Sequence, residues 1–72
     1  MLVGVAAETF PGERRVALVP AAVPTLATAG CRVLVESGAG VEAGYPDSLY
    51  AEQAAQIVSS RAEVFAEADA VI

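Results

Sequence analysis

The sequence predicts an open, doubly wound α/β fold on a parallel sheet, and three observations carry that expectation. Short apolar runs alternate with segments of helical periodicity; the early runs are unbroken, as strands buried on both faces are; and the joins carry glycine, proline and capping residues. Strand, helix, strand, helix, strand, helix, strand is an order that forces parallel pairing through right-handed crossovers.

Leu2 to Ala6 is too short for a helix and is read as the first strand. A polar loop follows through Glu8-Thr9-Phe10-Pro11-Gly12-Glu13-Arg14-Arg15, and Val16-Ala17-Leu18-Val19 then leads to Pro20. Val23, Leu26, Ala27 and Gly30 fall on one helical stripe, which predicts a helix beginning at Val23 or Pro24 and ending near Gly30. Arg32 to Glu36 is β-branched and apolar and gives the second strand, closed by Ser37-Gly38-Ala39-Gly40. A second helix opens at Pro46-Asp47, with Asp47 as its cap and Leu49, Tyr50 and Ala54 on its buried side. Ile57-Val58 is a brief third strand. Ser60-Arg61-Ala62-Glu63 spells a capping box for a third helix running past Val64 and Phe65, and Asp69 to Ile72 is the fourth strand.

Length and composition set bounds on function. A 72-residue chain buries only about 60% of its unfolded surface, so a fold of this size usually needs support. One cysteine, Cys31, and no histidine supply neither a disulfide framework nor a Cys/His metal cluster. No metal ligands are expected, and Cys31 reads as a small buried hydrophobe. The apolar run Ala68 to Ile72 carries no turn residue, cap or polar tail, so the chain is expected to be the amino-terminal piece of a larger protein. Nine acidic residues against four arginines, net charge −5, argue against binding nucleic acid or anionic membrane surfaces. No secretory leader and no transmembrane run is legible, which gives a cytoplasmic expectation.

In an open α/β sheet ligands sit at the carboxyl ends of the strands, so the loops after the first two strands are the candidates. Gly38-Ala39-Gly40-Val41-Glu42-Ala43 can be spelled as a dinucleotide fingerprint, G-x-G-x-x-A. However, Gly44-Tyr45-Pro46 must intervene before a helix can start, and no acidic residue answers it about 20 positions on. It is read as a glycine-rich turn. The first loop gathers Glu8, Glu13, Arg14 and Arg15 around Pro11-Gly12. Its arginines could simply pair with its own glutamates in solvent, a weak interaction of about 0–1 kcal/mol. Arg15 abuts the inward-turning Val16 to Val19, where a guanidinium is suited to grip a carboxylate or phosphate through two hydrogen bonds.

Gly4-Val5-Ala6-Ala7-Glu8, Gly12-Glu13-Arg14-Arg15-Val16-Ala17-Leu18-Val19-Pro20, then Val23, Leu26 and Gly30, together with Glu36-Ser37-Gly38-Ala39-Gly40 and Tyr45-Pro46-Asp47, resemble the amino-terminal signature of the alanine dehydrogenase and pyridine nucleotide transhydrogenase family. Phe10-Pro11-Gly12-Glu13 is more similar to the alpha subunits of NAD(P) transhydrogenases than to the dehydrogenase branch. The resemblance implies two Rossmann-like domains facing a cleft, residues 1–72 being most of the first. NAD would be bound mainly by the second, whose fingerprint lies beyond Ile72, and NADP by a partner domain or subunit. It implies hydride transfer between NADH and NADP⁺ coupled to proton movement, membrane and NADP-binding partner subunits, homo-oligomeric assembly and a place on the cytoplasmic side of the membrane. In the dehydrogenase branch the arginine matching Arg15 contacts the substrate carboxylate with a lysine just past Ile72, making Arg15 the substrate-binding candidate; in the other branch it has no such substrate. Ala6-Ala7 depart from the family's proline and basic residue. A non-catalytic receiver-like module would need aspartates that Ala6-Ala7-Glu8 and Val58-Ser59-Ser60 do not supply.

Overall fold

A computed structural model describes residues 1–7 and 16–72. Four strands, β1 (Leu2–Val5), β2 (Arg32–Glu36), β3 (Gln56–Val58) and β4 (Ala70–Val71), form one sheet in the order β3-β2-β1-β4, with every pairing parallel. The helices α1 (Val23–Thr28), α2 (Asp47–Glu52) and α3 (Arg61–Glu67) make the three crossovers, with 3-10 turns at Pro20–Ala22 and Val41–Ala43. This is the open α/β arrangement that the alternation predicts.

Side chains on the strands point alternately to the two faces. Val5, Val33 and Val35 pack on one side with Val23 of α1, Tyr50 of α2, and Leu18 and Ala55. Leu34 points the other way, onto Val58 and Val64 of α3. Helices thus cover both faces, as a doubly wound sheet requires. Burying a residue of the size of Leu34, Val35 or Val64 completely contributes about 1.5–3 kcal/mol. Gly4 is where α3 lies closest to the sheet. A Cβ there would stand 2.6 Å from Val64 Cγ1 and 2.8 Å from Ala68 Cβ.

The helix ends explain most differences from the sequence expectations. α1 starts at Val23 and places Pro24 in its first turn, where the missing N–H has no helical partner to lose. It ends at Thr28 through a Schellman motif: Cys31 N–H donates to Leu26 O (2.9 Å) and Gly30 N–H to Ala27 O (3.0 Å), with Gly30 at φ 86°. Ala27, expected on the buried stripe, is exposed, and Cys31 is half-buried. α2 ends in the same way, with Ala55 N–H on Tyr50 O (3.1 Å) and Ala54 N–H on Ala51 O (3.0 Å). Here the left-handed position belongs to Ala54, φ 69°, the one non-glycine residue with positive φ among those described. Ala54 is therefore past the helix and exposed, and Ala55 takes the buried place that the sequence reading gave to Ala54.

Asp47 does not cap α2. Pro46 occupies that position with no side-chain cap bond, and Asp47 is the first helical residue, its carboxylate directed back to the glycine loop. The Ser60 half of the α3 capping box is formed: Ser60 Oγ accepts from Glu63 N–H at 3.2 Å, while the Glu63 carboxylate reaches back to the Ser59 and Ser60 hydroxyls, where a full box uses the N-cap N–H. Of the two apolar residues named for α3, Val64 is fully buried and Phe65 is exposed. The strand bounds shift by one or two residues: β1 stops at Val5, β3 begins at Gln56, and β4 is limited to Ala70–Val71.

A left-handed conformation costs an L-residue about 1–2 kcal/mol, which glycine escapes at some cost in unfolded-chain entropy. Ala54→Gly is accordingly expected to raise stability by about 0.5–1 kcal/mol, seen as a higher urea midpoint at unchanged m-value.

Candidate functional site

The strand order reverses direction at β1. From β1 the chain winds outward to β2 and β3, then returns across the sheet to place β4 on the other side of β1. The crevice of such a fold opens at the carboxyl ends of the strands flanking the reversal, here β1 and β4.

Three segments meet at the carboxyl edge beside β1: Ala6 and Ala7 leaving β1, Glu36 ending β2, and Arg61 opening α3 after β3. Ala7 N–H donates to Glu36 Oε1 at 3.0 Å, and Ala7 O accepts from Arg61 Nη1 at 2.7 Å. The Arg61 guanidinium carbon lies 5.1 Å from the Phe65 ring centroid, a cation–π contact. Val16 packs on the core, Leu18 is buried, and the Tyr50 hydroxyl donates to Leu18 O at 2.8 Å.

Tyr50 also fixes the second loop. A Cβ on Gly40 would lie 2.6 Å from the Tyr50 hydroxyl oxygen and 2.7 Å from the Tyr45 carbonyl, so only glycine fits. Burial, then the neighbouring Tyr45 and Asp47 charges, push the Tyr50 phenol above its ordinary pKa.

The second loop does not have the donor set of a dinucleotide site. A fingerprint loop directs free backbone N–H groups and a helix amino terminus at the pyrophosphate. Here Gly38 N–H donates to Asp47 Oδ1 at 2.8 Å and the Ser37 hydroxyl to Asp47 Oδ2 at 2.6 Å. The N–H groups of Ser37, Ala39, Val41, Ala43, Gly44 and Tyr45 are bound to backbone carbonyls. α2 begins only at Asp47, after the turn closed by Gly44 at φ 91°. The sequence reading of this segment as a glycine-rich turn agrees with that geometry.

Arg15, the substrate-binding candidate, lies outside the described residues, as do Glu8, Glu13 and Arg14. The residues that sequence reasoning missed are Arg61, which it read only as part of a capping box, and Tyr50, which it read only as core. The signal for Arg61 was its place immediately after a strand's carboxyl end; nothing local in the sequence pairs it with Ala7, 54 residues away.

This frame of strand ends beside β1, with Ala7 bonded to Glu36 and Arg61 and Leu18 bonded to Tyr50, can be set against known proteins. A family profile described as "Alanine dehydrogenase/PNT, N-terminal domain" matches residues 4–72. The chain belongs to this family. It is 38% identical over 72 residues to NAD(P) transhydrogenase subunit alpha from Cereibacter sphaeroides, covering all of this chain and 14% of that protein. It is 39% identical over 72 residues to alanine dehydrogenase from Methanococcus maripaludis, covering all of this chain and 19% of the other. A solved L-alanine dehydrogenase superposes with a TM-score of 0.93 at 38% identity, over the whole of this chain and 20% of that one. The chain therefore spans no more than about a fifth of these relatives. The relatives are oxidoreductases by name, and the two branches match equally well. The Rossmann-like fold is common to both. Among the described residues no helix is long and apolar enough to cross a membrane.

Two outcomes are expected. Tyr50→Phe leaves a buried carbonyl without its partner and should cost about 1–2 kcal/mol at neutral pH. Because the Tyr50 pKa is raised in the fold, its contribution is complete below the unfolded value of about 10 and is lost as pH rises through the folded value. Chemical unfolding above pH 10 should therefore show a steeper loss of stability in the parent chain than in Tyr50→Phe. Secondly, the 72-residue chain should bind NADH negligibly by calorimetry. A micromolar dissociation constant would contradict the account of the second loop.

Proposed function

We propose that this chain is most of the amino-terminal domain of an NAD(P) transhydrogenase alpha subunit, a domain that helps to close a hydride-transfer cleft and exclude water from it. The observation that carries the reading is the family match over residues 4–72, and the Phe10-Pro11-Gly12-Glu13 spelling favours the transhydrogenase branch. NAD(H) is then held mainly by a second domain and NADP(H) by a partner domain or subunit, in agreement with a glycine loop most of whose N–H donors are already used. The domain works by positioning and by keeping the cleft dry, where charge interactions are strong and side reactions are suppressed. In this reading the protein assembles as a homo-oligomer with membrane subunits, on the cytoplasmic side.

The identity to alanine dehydrogenases favours a second reading, NAD-dependent interconversion of L-alanine and pyruvate. There Arg15 is the substrate-binding residue, and its guanidinium pairs with the carboxylate. One assay separates the branches. The full-length gene product is given NADH with an NADP⁺ analogue, and separately L-alanine with NAD⁺. Transhydrogenation with its membrane partners and no alanine oxidation is expected. Alanine oxidation that falls at least about 100-fold in Arg15→Ala would establish the second reading instead, an effect of the size that losing a substrate-positioning contact produces.

A further inference from the structure

Both backbone groups of Ala7 are held by charged side chains, one from a neighbouring strand and one from a crossover helix. Its N–H is taken by Glu36, the last residue of β2, and its carbonyl by Arg61, the first residue of α3. Hydrogen bonds with one ionised partner are shorter and stronger than neutral ones, and the Arg61 bond, at 2.7 Å, has that character. Arg61 is itself steadied over the Phe65 ring.

The place of this clamp gives it meaning beyond satisfying a strand end. Ala7 is the second residue past β1, the strand at which the order reverses, so it stands at the carboxyl edge of the sheet where folds of this kind bind their ligands. A strand end left to solvent can tilt; one bonded on both sides by charges from β2 and α3 is restrained. Val16 and Leu18 are fixed independently by core packing and Tyr50. The orientation of the rim at β1 thus depends on Glu36 and Arg61.

We infer that Glu36 and Arg61 are positioning residues of the crevice, acting on bound substrate through the Ala7 backbone rather than by touching it. What is bound rests on the family reading, a substrate that exchanges hydride with a nicotinamide nucleotide. Small displacements of a positioning frame lower turnover efficiency far more than they lower stability.

The test uses the full-length gene product as Glu36→Ala, Glu36→Gln, Arg61→Met and wild type. Amide exchange at Ala7 and steady-state kinetics are measured with whichever of the two couples above is active. Glu36→Ala and Arg61→Met should speed exchange at Ala7 and lower kcat/KM by about 10- to 100-fold, while Glu36→Gln, which keeps an acceptor oxygen, should return both to near the wild-type values. Faster exchange with unchanged kcat/KM would overturn the inference and leave the clamp as structure alone. So would a kinetic loss in Glu36→Gln equal to that in Glu36→Ala. If wild type turns over neither couple, it is the family reading that fails. The clamp is then judged on exchange, and unaltered exchange at Ala7 in Glu36→Ala overturns it.

Discussion

The fold hangs on β1 being paired in parallel on both sides, with β2 along its whole length and with β4 at Val3 and Gly4. Parallel neighbours cannot be joined by tight turns, so each pairing demands a crossover, and the crossovers supply the helices that cover the faces. Burial on both sides follows, and it dictates composition. Val5 is fully buried beneath the α1 and α2 layer, and Gly4 leaves just enough room for α3 to approach from the other face. The same central position puts the carboxyl end of β1 at the reversal of strand order. Core and crevice are consequences of one strand's place.

What the sequence disclosed follows from which signals are local. The strand runs, the Ser60 cap and the Gly30 terminus each rest on a few adjacent residues whose physics is self-contained, and each has its structural counterpart. The end of α2 was illegible because the left-handed residue there is Ala54, which carries none of the glycine signal that marks the end of α1. Asp47 looked like a cap because it is a capping type in a capping place, but Gly38 and Ser37 compete for its carboxylate and win it. That outcome depends on how the loop folds back over α2, and no spacing rule encodes it.

The candidate site was legible as a location and as a family, and much less as a set of contacts. Topology alone directs attention to the carboxyl edge of the sheet beside β1. The Glu36 and Arg61 bonds to Ala7 span 29 and 54 residues and join side chains to backbone, so neither hydropathy nor charge pattern could announce them. The branch question has a similar physical root. The two kinds of relative share this domain's frame to similar degrees, as expected if the differences that choose a substrate lie in a few loop side chains and in the rest of those longer chains.

The bond from Asp47 to the Gly38 amide also bears on how such loops change their occupants. The carboxylate is tethered ten residues from Ser37 and occupies the Gly38 amide, a donor that an anion in this loop would otherwise use. A tethered group competes at an effective concentration in the millimolar range or above, against which a free solute of modest affinity loses. The loop carries its own occupant, and making it a receptor would take the removal of Asp47 before the addition of anything new.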